Sequence, residues 1–325
     1  MLHNAFIVLL LLAICACNFG KRPSNQLQPI HIALPKALSM GLIILAYEHG
    51  YFTEQGLDVH LDWYPSGRDA SDALFQGKAD LAASYDTVVI INNLQGRKQK
   101  IYSKLHSAKF STAVLARKDH GIERPDQILG KTVGVPFRTN AQYFLESWLE
   151  NELIRSSLVN IRNTDPEDLQ RLLLSGEIDA LAVWEPYLSE IKAELGDNGI
   201  IFELEDYMEN SFLIGDSKKE KPIPIEKVLH ALYKAQQLLN QDDQAFDTVF
   251  RALDFANKET MQGIWDKMFL DLGVNHILLT QLLFQKYFLI ESQQFMDLGP
   301  RLSSDFDTKP LASVQPFLVT LVTIP

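Results

Sequence analysis

The chain offers few residues with the spacing of reactive chemistry. Its two cysteines, Cys15 and Cys17, stand together near the start, so no thiolate nucleophile, thiolate metal site or disulfide framework is expected further along. Eight histidines (His3, His31, His49, His60, His106, His120, His230 and His276) are scattered without the H-x-x-H-type spacing that brings imidazoles together on a metal. There is no G-x-S-x-G elbow to activate a serine and no Gly-rich phosphate loop. What the sequence does present is polar and aromatic residues grouped where a strand gives way to a helix: Lys36, Ser39 and Met40; Ser84, Tyr85, Asp86 and Thr87; Arg138, Thr139 and Asn140; Trp184 and Glu185, with Phe110 near another strand end. Such groups hold a solute rather than transform it. Helix starts supply free N–H groups and the positive end of a dipole, Arg138 a planar fork of donors for an oxyanion, and the aromatics a wall. Asp86 and Glu185 can be imagined as an acid and a base, but hydrogen bonding to a solute explains both more simply.

These residues need elements to position them. Ile30 to Leu34 reads as a strand, followed by Pro35, a helix start at Ser39 and a helix from Gly41 to Glu48 that Gly50 stops. Leu57 to Trp63 alternates as a strand, Ala70 to Phe75 is helical up to Gly77, and Asp80 leads into the strand Leu81 to Ser84. Val88 to Leu94 is a helix closed by Gly96, and Gln99 to Leu105 a further strand. The same series then recurs. Lys131 to Val135 is a strand followed by Pro136, Thr139 opens a helix over Ala141 to Glu150 in a capping-box pattern with Gln142, and Leu169 to Leu174 stops at Gly176 before Asp179 and the strand Ala180 to Trp184. Pro35/Pro136, Gly77/Gly176 and Asp80/Asp179 are each offset by about one hundred residues. An echo on that scale predicts two α/β lobes of similar build, each with a mostly parallel sheet. Helices are expected over Ile225 to Leu239, Asp243 to Asn257, Lys258 to Leu270 and Asn275 to Phe288, with Trp265, Phe269, Leu272, Leu282 and Phe288 in a core and the tail packing back on a lobe.

The 325 residues, 46% of them apolar, are enough for about two domains. A net charge of −11 argues against a nucleic-acid partner, because phosphate binding needs a basic face. Ala5 to Ala16 is an apolar run of about twelve residues, short of the roughly twenty that span a bilayer and of signal-peptide length. It ends in Ile14-Cys15-Ala16-Cys17, which resembles the bacterial lipobox, with Cys15 at an unusual place and no Lys or Arg in the first six residues. The expectation is a lipoprotein-type signal peptide over 1–16, lipidation at Cys17, and a polar tether over 17–27.

Four stretches carry a family resemblance: AYEHGYFTEQGLDV from Ala46, ALFQGKADLAAS from Ala73, RPDQILGKTVGV from Arg124 and LLLSGEIDALAVWEPY from Leu172. In this order they resemble the substrate-binding proteins of ABC importers for nitrate, sulfonates, taurine and thiamine-pyrimidine precursors. The resemblance implies the type II periplasmic binding protein fold: two Rossmann-like lobes with a ligand cleft between them, 28–111 plus 210–325 forming lobe one and 112–209 lobe two. It implies contact segments at Lys36 to Met40, Ser84 to Thr87, Lys109 to Phe110, Arg138 to Asn140 and Trp184 to Glu185. It also implies a monomer without cofactor or metal, lipid-anchored on the periplasmic or cell-surface face of a bacterial membrane, that closes on a small anionic or heteroaromatic molecule and delivers it to an ABC permease. Where sulfonate-binding members often carry a Ser/Gly-rich loop this chain has Phe137-Arg138-Thr139-Asn140, which leaves the ligand open among sulfonate-, nitrate- and pyrimidine-like classes. A pyrimidine-synthase-like enzyme on the same fold and a ligand-sensing lobe for a membrane receptor are the alternatives.

Overall fold

The structure, a computed structural model, describes residues 27–219, 222–292, 295 and 298–321. The apolar run Ala5 to Ala16, the lipidation expected at Cys17 and residues 17–26 of the expected tether lie outside the described residues. The chain first lays down β1 (Gln28–Pro35), β2 (Leu57–Tyr64), β3 (Leu81–Tyr85) and β4 (Gln99–Lys109), with helices between them. It then builds β5 (Thr112–Arg117), β6 (Thr132–Val135), β7 (Asn160–Asn163), β8 (Ala180–Trp184) and β9 (Gly199–Phe202), and closes with β10 (Met208–Asp216), β11 (Met268–Phe269) and a set of helices. Two sheets result, of order β11-β4-β10-β3-β1-β2 and β7-β6-β8-β5-β9. Each has its own apolar core.

Most strands of each sheet run one way, as expected, with β10 and β11 reversed in the first sheet and β5 in the second. β2, β1 and β3 run parallel, as do β7, β6 and β8. β10 is antiparallel to β3 and β4, and β5 to β8 and β9. The cause is the route of the chain: β5 and β10 each arrive from the other sheet, so each enters at the end where its neighbour β8 or β3 finishes. The two crossings, Lys109 to Thr112 and Phe202 to Met208, lie side by side where β10 pairs with β4 from Met208 and Lys109 onward.

The sequence echo has a structural cause. Asp80 Oδ2 accepts from the His31 backbone N–H at 2.7 Å while its own N–H donates to His31 O at 2.8 Å. Asp179 does the same with Thr132, Oδ2 accepting from N at 2.8 Å and N donating to O at 2.8 Å. In each lobe the aspartate therefore staples the start of one parallel strand to its neighbour. The glycines before them, Gly77 and Gly176, take φ of +73° and +80° to end the preceding helix, a conformation a Cβ would strain.

Helix Ile225–Leu239 packs Val228, Leu229, Leu232 and Ala235 into the first core, and Leu302, Phe306 and Leu311 of the tail join it. The helix expected over Lys258 to Leu270 ends at Trp265, because Met268 and Phe269 pair with the edge of β4. Phe269 is accordingly 69% exposed rather than core, whereas Leu272 and Leu282 are buried and Trp265 and Phe288 half-buried. The helix expected over Asp243 to Asn257 spans only Ala245–Leu253 and is stopped at Asp254, whose φ is +52°.

Candidate functional site

The carboxyl ends of β1, β3 and β8 meet in one cleft between the sheets. Ala37, Leu38 and Ser39, just after β1, face Trp184, Glu185 and Pro186 at the end of β8. Tyr85 from β3, His106 from β4, Ser111 from the first crossing and Glu209 from β10 form the base. Met261 and Ile264 of helix Lys258–Trp265, with Met268, supply an apolar side. The cleft is shut: its free volume is about 20 Å³, little more than one water occupies. A solute of several heavy atoms enters only when the sheets part.

Hydrogen bonds fix the polar groups. Ser39 Oγ and the Tyr85 hydroxyl share one at 2.7 Å, and the Tyr85 ring meets His106 edge-on with centroids 6.3 Å apart. His106 Nδ1 lies 3.2 Å from Ser211 Oγ, and burial, helped by the nearby Lys104 charge, holds its pKa down to about 3, so the imidazole is neutral. Glu209 Oε2 accepts from Thr112 Oγ1 at 3.1 Å and from Asn140 Nδ2, both on the opposite sheet's side of the crossing. Burial and then the Asp86 charge push the Glu209 carboxyl up to about 7, against the pull of those hydrogen bonds. Burial likewise lifts Asp86 to about 6, although it accepts from Thr87 N at 2.8 Å and Asn210 N at 3.0 Å. Glu185 is raised by burial too, offset by Ser189 N at 3.0 Å and Ser189 Oγ at 2.8 Å. The Ser111 hydroxyl is buried near enough to Glu209 to moderate its shift, but is too poorly aligned with any group to count as hydrogen-bonded.

Of the residues singled out in the sequence, Ser39, Tyr85, Trp184 and Glu185 line this cleft. Asp86 and Asn140 stand behind it, tied to Asn210 and Glu209. The others lie elsewhere. Met40 is fully buried in the first core, Ser84 Oγ donates to Gly67 O at 2.8 Å, and Thr87 Oγ1 accepts from Gln285 at 2.7 Å. Lys36 is exposed, its Nζ 5.7 Å above the Phe255 ring. Arg138, with φ of +61° and a half-exposed side chain, points to Asp72 of the other lobe at 3.6 Å. Thr139 does not cap its helix; its hydroxyl donates to Pro136 O at 2.6 Å, and Gln142 instead accepts from Arg138 N at 2.7 Å. Phe110, φ +59°, is half-buried at an outer hollow that shares Ser111 and Glu185 with the cleft. Sequence reasoning missed Glu209, His106 and Ser111. The signal for Glu209 is a carboxylate one residue before the expected return at Asn210, inside the apolar strand MENSFLIG.

The NMT1/THI5-like family model matches residues 39–245. A Bacillus subtilis (strain 168) protein assigned to binding aliphatic sulfonates is 26% identical over 186 residues, 56% of this chain and 55% of its own, so the chain spans about half the length of that relative. The taurine-binding periplasmic protein of Escherichia coli (strain K12) is 22% identical over 147 residues, 45% of each chain. The alkanesulfonate-binding protein SsuA of Xanthomonas axonopodis pv. citri, solved bound to MOPS, superposes with a TM-score of 0.73 at 13% identity, over 86% of this chain and 98% of its own. The fold is the mixed α/β, two-sheet arrangement of type II periplasmic binding proteins. Matched over a stretch that runs from Ser39 through both sheets and back across the second crossing, this chain belongs to the NMT1/THI5-like family.

Proposed function

We propose that the protein is the extracytoplasmic solute-binding component of an ABC importer. Lobe one, 28–111 plus 210–325, and lobe two, 112–209, close on a small molecule and present it to a membrane permease, and Cys17 carries the lipid that keeps the protein at the membrane. The observation that carries this reading is the shut cleft, assembled from strand ends of both sheets and joined at the base, among the described residues, by two chain crossings. Two crossings make a hinge, and a solute that touches both walls favours the closed state by the contacts it makes only there. The sulfonate- and taurine-binding names of the relatives support the class of function.

Capture occurs here without chemistry. The two carboxylates that most resemble an acid–base pair are otherwise engaged: Asp86 holds its own helix start and the Asn210 backbone, and Glu185 holds Ser189. Two acyl chains at Cys17 suffice for stable anchoring. The test is small-angle scattering of the chain against a panel of sulfonates, nitrate, pyrimidines, amines and carboxylates. A solute that lowers the radius of gyration from that of an open form supports capture; an unchanged radius with every solute contradicts it.

A further inference from the structure

The inner chamber presents carboxylates and no cation. Glu185 and Glu209 both line it, and no Lys or Arg is among the described residues that do. Lys109 and Lys267 line the outer hollow, where Lys109 Nζ donates to Glu205 O at 3.3 Å and the Lys267 charge reaches Glu185 from outside the chamber. Arg138 is turned to Asp72, and Lys36 to Phe255. Two of the helix-start N–H groups are also taken. An oxyanion would take the N–H groups at the start of helix Tyr187–Leu195 and helix Asp86–Leu94, yet Glu185 already accepts from Ser189 N, and Asp86 from Thr87 N.

The groups left over ask for donors. Thr112 and Asn140 both donate to Glu209 Oε2, and the Ser111 hydroxyl stands beside the same carboxyl without a well-aligned bond to it. Ser111, 8% exposed, adds at the same base a hydroxyl that can donate or accept and so does not itself discriminate between heads. Buried acceptors such as the Glu209 carboxyl are costly until a ligand satisfies them. A protonated amine or amidine would draw Glu209 into its ionised form and pair with it, whereas an oxyanion would find no cation among the described lining residues to pair with. The remaining wall, Trp184, Tyr85, Leu38 and Met261, is aromatic and apolar, and an indole face attracts a cation.

We infer that this cleft selects a solute whose recognised group is a nitrogen hydrogen-bond donor, an amine or amidine on an apolar or aromatic body, and that it rejects sulfonate, nitrate and carboxylate; the inference rests on the solute-capture reading above. It therefore departs from the ligands for which the sulfonate- and taurine-binding relatives are named.

The experiment titrates the full chain calorimetrically with probes matched in body and opposite in head, benzamidine against benzenesulfonate and butylamine against butanesulfonate, with scattering as the readout of closure. The nitrogen probe of a pair is expected to bind at least tenfold tighter than its sulfonate. Glu209→Gln and, separately, Glu185→Gln are expected to reduce that preference at least tenfold, each checked for an intact cooperative unfolding transition. Glu185→Gln carries the test if Glu209→Gln does not fold. Tighter, closure-inducing binding of the sulfonates overturns the inference and leaves solute capture standing. Nitrogen-probe binding that neither variant alters also overturns it. Failure of all four probes to bind or close the lobes overturns it for these head groups, and failure of the wider panel as well removes the capture reading beneath it.

Discussion

Glu209 is the residue on which most of the site's physics converges. The folded chain keeps its carboxyl protonated up to about pH 7, whereas the ordinary value is 4.5. The folded state therefore holds a proton across that window that the unfolded state has released, so the stability this group confers is full below pH 4.5 and lost as pH rises through 7. A rise of that size corresponds to roughly 3–4 kcal/mol, of which roughly 2–3 kcal/mol falls between pH 5 and pH 8. Asp86, lifted to about 6, acts in the same direction, and His106, held near 3, acts oppositely, its contribution falling away as pH drops below 6.5. Denaturant unfolding at pH 5 and pH 8 measures the difference. Glu209→Gln should remove roughly 2–3 kcal/mol of the alkaline loss seen in the parent chain, and an identical pH dependence in both would mean that Glu209 titrates normally. A second residue-scale expectation concerns the repeat. Asp80→Ala and Asp179→Ala each delete the acceptor for a strand N–H, and each should cost roughly 1–3 kcal/mol; a loss confined to one of them would show that the two aspartates are not equivalent.

At the scale of elements, close contacts decide where the cleft residues stand. Gly67 opens helix Gly67–Phe75, and a Cβ there would lie 2.7 Å from the Tyr85 ring. Gly67→Ala must push Tyr85 off Ser39, so it should weaken solute binding at least as much as it lowers stability, roughly 1–3 kcal/mol for overpacking. Unchanged binding would show that Tyr85 is not part of the wall. Outside the cleft a second set of contacts crosses between lobes: Arg68 Nη1 donates to Phe137 O at 2.9 Å, and Arg138 reaches Asp72. Arg68→Ala should weaken closure, read as a smaller solute-induced fall in the radius of gyration; an unchanged fall would mean that these contacts do not hold the closed state. Most elements were legible because helices and strands announce themselves by period and by glycine stops such as Gly77 and Gly176. Phe269 was misplaced because an apolar run of this length reads equally as helix or edge strand. Lys36 and Arg138 were natural candidates by type and by position, but their chemistry is spent on Phe255 and Asp72, partners far away in sequence. Glu209 was invisible for the converse reason: only the pairing of β10 between β3 and β4 brings it under Trp184.

Across the whole molecule, two cores and two crossings divide rigidity from motion. Each sheet buries its own apolar residues, so either half can move as a body, while Glu209, bonded to Thr112 and Asn140, sits where that motion must pivot. The free volume of about 20 Å³ means that solute entry and lobe opening are one event. Ligand should then stabilise the chain by mass action, about 2.7 kcal/mol at a concentration one hundred times Kd.

A crystal structure of the chain with the solute that co-purifies with it tests this account most directly. The account predicts ligand density enclosed between Trp184 and Ser39, with a nitrogen donor within hydrogen-bond distance of Glu209. Density on an outer face, such as the groove beside Glu150 and Phe288, with both sheets placed as they are now, would contradict it.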